Sequence, residues 1–231
     1  MNHVVLLKSN AKNHGGLEKT ASRIAQAFIE KGAKVTLLTT ESEAPALSPS
    51  NLPLCIHSVK TTSWPPFLKI SQFDRFVANW LIKSPADLVF GMDRNRMQTH
   101  IRAGNGVHAA YLKSRILTEG HLKYYSCLIN PLHRKILQLE KEAFEYPGLK
   151  KLFTNSHRVK QEILDRFSID SAKIQVIHNG VEWVEMQTDF DNCFHHKQTL
   201  CKIYHLDPEM FHLLFIGNGY LRKGLHPLLE A

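Results

Sequence analysis

The sequence predicts an α/β protein built on a doubly wound parallel sheet. Short runs rich in Val, Ile and Leu alternate with longer stretches in which apolar residues recur at helical spacing. The two kinds of segment follow one another in turn, and alternating β and α segments pack as a parallel sheet with helices on its faces. No internal repeat or low-complexity tract interrupts the pattern.

The elements follow in order. Residues 4–7 read as the first strand. Leu17, Ala21, Ile24, Ala25, Phe28 and Ile29 then recur with helical spacing until Gly32 ends the run. Residues 35–38 form the second strand, and 55–59, 87–90, 152–154 and 174–177 read as further strands. Helical patterns around 67–82, 132–144 and 159–167 separate them. Polar connections lie between, chiefly residues 41–53 with three prolines and three serines, and the pair Pro65-Pro66. The turn dipeptide Asn179-Gly180 closes the last strand and marks a boundary. The expected organisation is a domain over 1–181, an interdomain connection over 182–211 whose stretch 182–202 is polar and weakly patterned, and over 212–231 the first strand and helix start of a second, incomplete domain. Within that last piece Leu213, Leu214, Phe215 and Ile216 are expected to form a strand with both faces apolar and both edges open.

Composition excludes several classes. A hydrophobic content of 43% with 22% charged residues is that of a globular chain and not a disordered one. Four widely spaced cysteines suit reduced thiols better than a disulfide scaffold, which favours a cytosolic setting. The apolar run at the N-terminus is too short for a signal peptide, and no apolar stretch reaches membrane-spanning length. The net charge is +8, yet residues 94–160 alone hold 13 Lys and Arg against 4 Glu. One middle segment therefore carries the whole basic excess. Such a face suits an anionic membrane surface. No nucleic-acid recognition motif accompanies the charge, and none is expected to bind.

Two Gly-bearing passages are candidates for chemistry. After the first strand comes a polar loop whose Gly15 and Gly16 open a helix. A helix N-terminus at the C-terminal edge of a parallel sheet suits a phosphate, and glycine allows close approach; a plain turn is the alternative. The second passage, Ile101-Arg-Ala-Gly-Asn-Gly-Val-His108, lies just beyond a strand. His108 there is placed either to act as a general base or polarise a substrate hydroxyl, or to serve as a structural, capped histidine. Arg102 is a ligand contact or a plain surface arginine. Asp189-Phe-Asp191 matches a metal-binding D-x-D outside the context such a motif needs, and Cys193, His195, His196, Cys201 and His205 fit no common zinc spacing. No metal is expected. Nucleophile-elbow, Walker and H-E-x-x-H motifs are absent from the sequence.

Taken together, Gly15-Gly-Leu-Glu18, Thr154-Asn-Ser-His-Arg-Val-Lys-Gln-Glu-Ile163, Val176-Ile-His-Asn-Gly-Val181 and Leu214-Phe-Ile-Gly-Asn-Gly-Tyr-Leu-Arg-Lys-Gly224 resemble the retaining GT-B glycosyltransferases of family four, in the family's order. Ala86-Asp-Leu-Val-Phe-Gly91 and the passage from Arg102 to Leu112 most resemble the glucosyltransferases of the lipopolysaccharide inner core. The resemblance implies two Rossmann-like domains, with this chain covering the acceptor-side domain and the start of the donor-side one. It implies transfer of a sugar from a nucleoside-diphosphate donor to an anionic glycolipid or saccharide acceptor, with retention and without cofactor or metal. Gly15 and Gly16 would approach the donor diphosphate. Arg222 and Lys223 would neutralise the leaving phosphate. His108 would position the donor sugar or acceptor. Asn105 stands where the subgroup carries Asp, and Arg102 would orient the acceptor.

In the family the nucleotide and sugar are held mainly further along, including by a Glu-x7-Glu motif that this sequence lacks. Catalysis depends on both domains positioning the reactants. The expectation is a truncated or split enzyme, inactive alone, completed by a second chain that supplies the C-terminal domain, cytoplasmic or peripheral at the inner face of the membrane. The alternative is a non-catalytic module that binds a glycolipid or a partner.

Overall fold

The computed structural model describes residues 3–10, 16–41, 54–217 and 220–231, and of residues 17, 18, 117, 118, 221 and 222 the backbone alone. The chain packs as two units, Met1–Asn179 and Gly180–Ala231, taken here one at a time.

The first unit holds β1 (His3–Leu7), α1 (Gly16–Glu30), β2 (Lys34–Thr39), β3 (Leu54–Ser58), α2 (Pro66–Lys83), β4 (Leu88–Gly91), β5 (His100–Arg102), α3 (His108–Ile129), α4 (Pro131–Phe144), β6 (Lys151–Thr154), α5 (His157–Leu164) and β7 (Ile174–Val176). The seven strands form one sheet in the order β3-β2-β1-β4-β5-β6-β7. Every pairing is parallel. The expected doubly wound parallel sheet is what the chain builds.

The residues of β1 show why helices cover both faces. Successive side chains of a strand point to opposite sides. Val4 and Leu6 pack with Ala21 and Ala25 of α1, while Val5 and Leu7 pack with Phe73 and Val77 of α2. Burying each of the Val and Leu side chains of β1 contributes about 2 kcal/mol. A second core lies under the other half of the sheet, where Ile101, Leu152 and Ile174 meet Ala143 and Phe144 of α4 and Ile163 of α5.

Local signals start these helices. Pro66 opens α2, where proline has a preset φ and sacrifices no helical hydrogen bond. Asn130 caps α4 by accepting from the Leu132 N–H at 2.9 Å, again with proline at the first position. Ser156 caps α5 by accepting from the Val159 N–H at 3.3 Å.

The helix α3 is two segments joined at Gly120, whose φ of 79° lies in the left-handed region open to glycine. The second segment bends back sharply. Arg115 donates to the Cys127 sulfur at 3.4 Å across the bend, whereas twelve residues of straight helix would separate them by about 18 Å of rise.

The connection from β4 to β5 is tied down residue by residue. Arg94 meets Glu140 of α4 at 3.1 Å, and Arg96 meets Asp74 of α2 at 3.0 Å. Both carboxylates are buried, so each arginine supplies a charge that the interior requires.

The second unit contains α6 (Trp183–Asp191), α7 (Cys193–Ile203), α8 (Tyr220–Lys223) and α9 (Leu225–Glu230). Two expectations are corrected here. Residues 182–211, read as an interdomain connection, carry two helices; their apolar residues are spread around the helix surface, so no clean stripe marks them in sequence. Leu213 to Ile216, read as a strand, form none: 211–217 has no regular structure and the sheet does not include it. An apolar run becomes a strand only through a ladder partner. Leu213, Leu214 and Ile216 are exposed instead.

Candidate functional site

The sheet order fixes where a ligand crevice belongs. From β1 the chain works outward to β2 and β3, then returns to β4 on the opposite side of β1, so the winding reverses between β1 and β4. Ligands of open parallel sheets bind at the carboxyl ends of the strands beside this reversal. There Ser9, just past β1, donates its hydroxyl to the Asp93 carboxylate at 2.7 Å, and its N–H bonds to the same oxygen. Lys8 lies 3.8 Å from the other Asp93 oxygen. Thr39 and Thr40 donate their hydroxyls to the Ser9 carbonyl at 3.1 and 2.7 Å. The floor of the crevice is therefore cross-linked between β1, β2 and β4. Of the two glycines expected to approach a phosphate, Gly16 is the first residue of α1 and Gly15 lies outside the described residues.

The connection from β5 to α3 brings Arg102, Asn105 and His108 within one turn. Arg102 ends β5, Asn105 is exposed on the turn, and His108 begins α3. The start of α3 is itself occupied by a carboxylate. Both oxygens of Glu140 accept from the His108 N–H, at 2.9 and 3.0 Å. The helix N-terminus thus has its anion supplied from α4, and a substrate phosphate gains nothing by competing for it.

The His108 imidazole faces His133 of α4, Nε2 to Nδ1 at 3.0 Å, with the Tyr111 ring 5.9 Å away. Burial first, then the charges of Arg94 and His133, lower its pKa to about 4. Burial also lowers His133, helped by Arg115. At neutral pH His108 is uncharged and a weak proton acceptor. It can still donate or accept one hydrogen bond to a hydroxyl.

Arg102 is half-buried, and burial lowers its pKa. Its Nη2 donates to Asn179 Oδ1 at 3.0 Å. Further along the same edge, Asn155 donates to the Gly104 carbonyl at 3.0 Å, and His178 Nδ1 lies 3.0 Å from the Asn155 carbonyl.

The remaining candidates lie in the second unit. The Lys223 side chain folds over Gly217, so close that a methyl there would stand 2.0 Å from its ammonium. The side chain of Arg222 lies outside the described ones. Asp189 and Asp191 fall two apart on α6, a spacing that turns their carboxylates to different faces. Among the described residues no three His, Cys, Asp or Glu side chains converge as metal ligands do.

The Glycosyltransferase Family 4 profile matches residues 14–182, which span this sheet edge. The chain belongs to glycosyltransferase family 4. Among solved structures this family 4 chain is similar to WaaG, a glycosyltransferase involved in lipopolysaccharide biosynthesis, with a TM-score of 0.77 at 18% identity. That superposition covers 98% of this chain and 58% of WaaG, so the chain spans less than two thirds of that neighbour. A glycosyltransferase from Rickettsia africae matches at 14% identity and TM-score 0.47, over 89% of this chain and 50% of that one. The lipopolysaccharide outer core galactosyltransferase WaaB matches at 14% and 0.41, over 78% and 46%. No curated protein matches the sequence.

Several residues of this candidate site carry no single-residue signal in sequence. Asp93, Glu140 and His133 are 84, 32 and 25 residues from the groups they hold, and only the fold brings them there. Asn155, His178 and Asn179 sit inside the motifs that carried the family resemblance, and their polar side chains just past strand ends were the available sign.

Proposed function

We propose that this chain provides the acceptor-binding side of a retaining glycosyltransferase that moves a sugar from a nucleoside-diphosphate donor to a glycolipid acceptor of lipopolysaccharide core type. The family match over residues 14–182 carries the reading. In this reading Gly15 and Gly16 lie against the donor diphosphate, and Arg222 with Lys223 balances the leaving phosphate. His108, neutral at working pH, holds a hydroxyl by hydrogen bonding, and Asn105 and Arg102 orient the acceptor. No metal or other cofactor takes part. Among the described residues the second unit has helices without a sheet, so residues 1–231 are expected to transfer sugar poorly unless a donor-binding domain is supplied.

The test supplies labelled nucleotide sugars and core-truncated lipopolysaccharide to the chain, with and without such a domain. Transfer that appears on adding the domain, with the donor's anomeric configuration kept in the product, supports the reading. No transfer under any combination, or full-rate transfer by the chain alone, overturns it or its inactivity clause respectively.

A second reading, a non-catalytic module at the cytoplasmic face of a membrane, is favoured by the tip of α3. Leu122, Tyr125 and Ile129 are 88, 58 and 74% exposed and recur at i, i+3 and i+7 beside Lys123. An apolar stripe with basic neighbours suits an anionic lipid surface. No helix among the described residues is long and apolar enough to cross one.

A further inference from the structure

Three adjacent loops at the carboxyl edge of the sheet, following β5, β6 and β7, share one hydrogen-bonded chain of groups. Arg102 donates to Asn179, Asn155 donates to the Gly104 carbonyl, and His178 bonds to the Asn155 carbonyl, each at 3.0 Å. The His157 and His178 rings stand 5.9 Å apart. The Arg102 guanidinium lies close against Gly104, where an added methyl would come within 2.3 Å of its Nη1. Its place is thus set by packing on one side and by Asn179 on the other.

Its electrostatic situation differs from that of the other arginines nearby. Arg94, Arg96, Arg115 and Arg158 each meet a carboxylate, at 3.1, 3.0, 2.5 and 3.2 Å. Arg102 is half-buried and meets none among the described residues, and residues 102–107, 154–158 and 177–179 contain no Asp or Glu. A partly desolvated cation held in one geometry, without an anion of its own, is costly unless a ligand supplies the charge. Among the described residues Arg102 donates one side-chain hydrogen bond, to Asn179, and its planar fork of five N–H donors matches the oxygens of a phosphoryl group. The two histidine rings beside each other offer further ring N–H donors to the same oxygens.

We propose that Arg102, His157 and His178 form a binding site for a phosphoryl group carried by the acceptor sugar. The site as an anion-binding feature stands on its own geometry, and its assignment to the acceptor rests on the function proposed above. Arg102 then anchors the acceptor by its phosphate, whereas the N-terminus of α3 already has its anion in Glu140.

The probe is inorganic phosphate, titrated at constant ionic strength into the full chain, with the ring signals of His157 and His178 followed by NMR and identified with His157→Gln and His178→Gln. The expected result is saturable shifts of both rings, with affinity falling roughly tenfold or more in Arg102→Gln, the loss typical of a charge-assisted bond. Gly104→Ala, which keeps the arginine but displaces its guanidinium, should weaken binding similarly, and it carries the test if Arg102→Gln fails to fold. Arg158→Gln should leave binding unchanged. Unmoved histidine signals, or affinity within about twofold of the parent in both folded variants, would overturn the site. A hexose phosphate binding more tightly than inorganic phosphate and than uridine diphosphate supports the acceptor assignment, and tighter binding of the diphosphate refutes it. Failure of sugar transfer with phosphate binding intact would sink the functional reading while leaving this site standing.

Discussion

Glu140 of α4 holds the first peptide N–H of α3, that of His108, between its two oxygens at 2.9 and 3.0 Å. The same carboxylate takes Arg94 at 3.1 Å and is buried. One side chain therefore fixes the start of a helix, the neighbouring helix and the connection between β4 and β5. Glu140→Ala leaves a partly buried guanidinium and a helix N-terminus without their anion. The expected loss is about 3 kcal/mol, measured as a shift in the urea midpoint with unchanged slope.

The His108 and His133 pair makes acid stability a test. The folded pKa of His108 is about 4 against an ordinary 6.5, so the unfolded chain binds a proton first as pH falls. Stability should be unaffected by this group above about pH 6.5 and decline from there towards pH 4. His108→Gln should flatten that part of the profile of melting temperature against pH. An unchanged acid limb would mean that the ring is not desolvated as its contacts imply.

Among the described residues nothing lies within 4 Å of a methyl added at Gly120, so substitution there acts mainly through the backbone. Gly120→Ala should cost roughly 1–3 kcal/mol, because φ 79° with ψ 171° is a conformation essentially confined to glycine. It should also loosen the return of the second α3 segment and speed alkylation of Cys127, which is buried beneath Arg115. An equal labelling rate would show that the bend does not shield the thiol.

At the tip of the same bend, Leu122→Glu replaces a side chain that is 88% exposed. Thermal stability should change by no more than about 0.5 kcal/mol, while sedimentation with anionic vesicles should fall several-fold if the module reading holds. Wild-type binding that ignores both vesicle charge and this substitution would remove lipid contact from the proposal.

Six of the seven strands were legible because they announce themselves, whereas β5, three residues long, was not read. Residues 4–7 are apolar at four successive positions, and the helical stretch from Leu17 to Ile29 has the spacing that an amphipathic helix requires. The start of α3 at His108 was marked by the Gly-rich passage before it. Its bend at Gly120 was not, since a single glycine in a helical pattern is tolerated as often as it breaks one. The partners of His108 were hidden for a different reason: Glu140 and His133 read as ordinary residues of an amphipathic helix until α4 is laid beside α3. Leu213 to Ile216 misled because an apolar run states only that burial would be favourable, not that a neighbouring strand is present to accept its hydrogen bonds.

The burial of β1 on both faces has a consequence for variation. In a strand with one wet face, every second position tolerates change, so a scan of substitutions gives an alternating record of harm and neutrality. Val4, Val5, Leu6 and Leu7 are all buried, two against α1 and two against α2. Such a scan across β1 should show an unbroken four-residue block in which polar replacements fail alike, and genetic drift there is confined to exchanges among aliphatic side chains of similar volume.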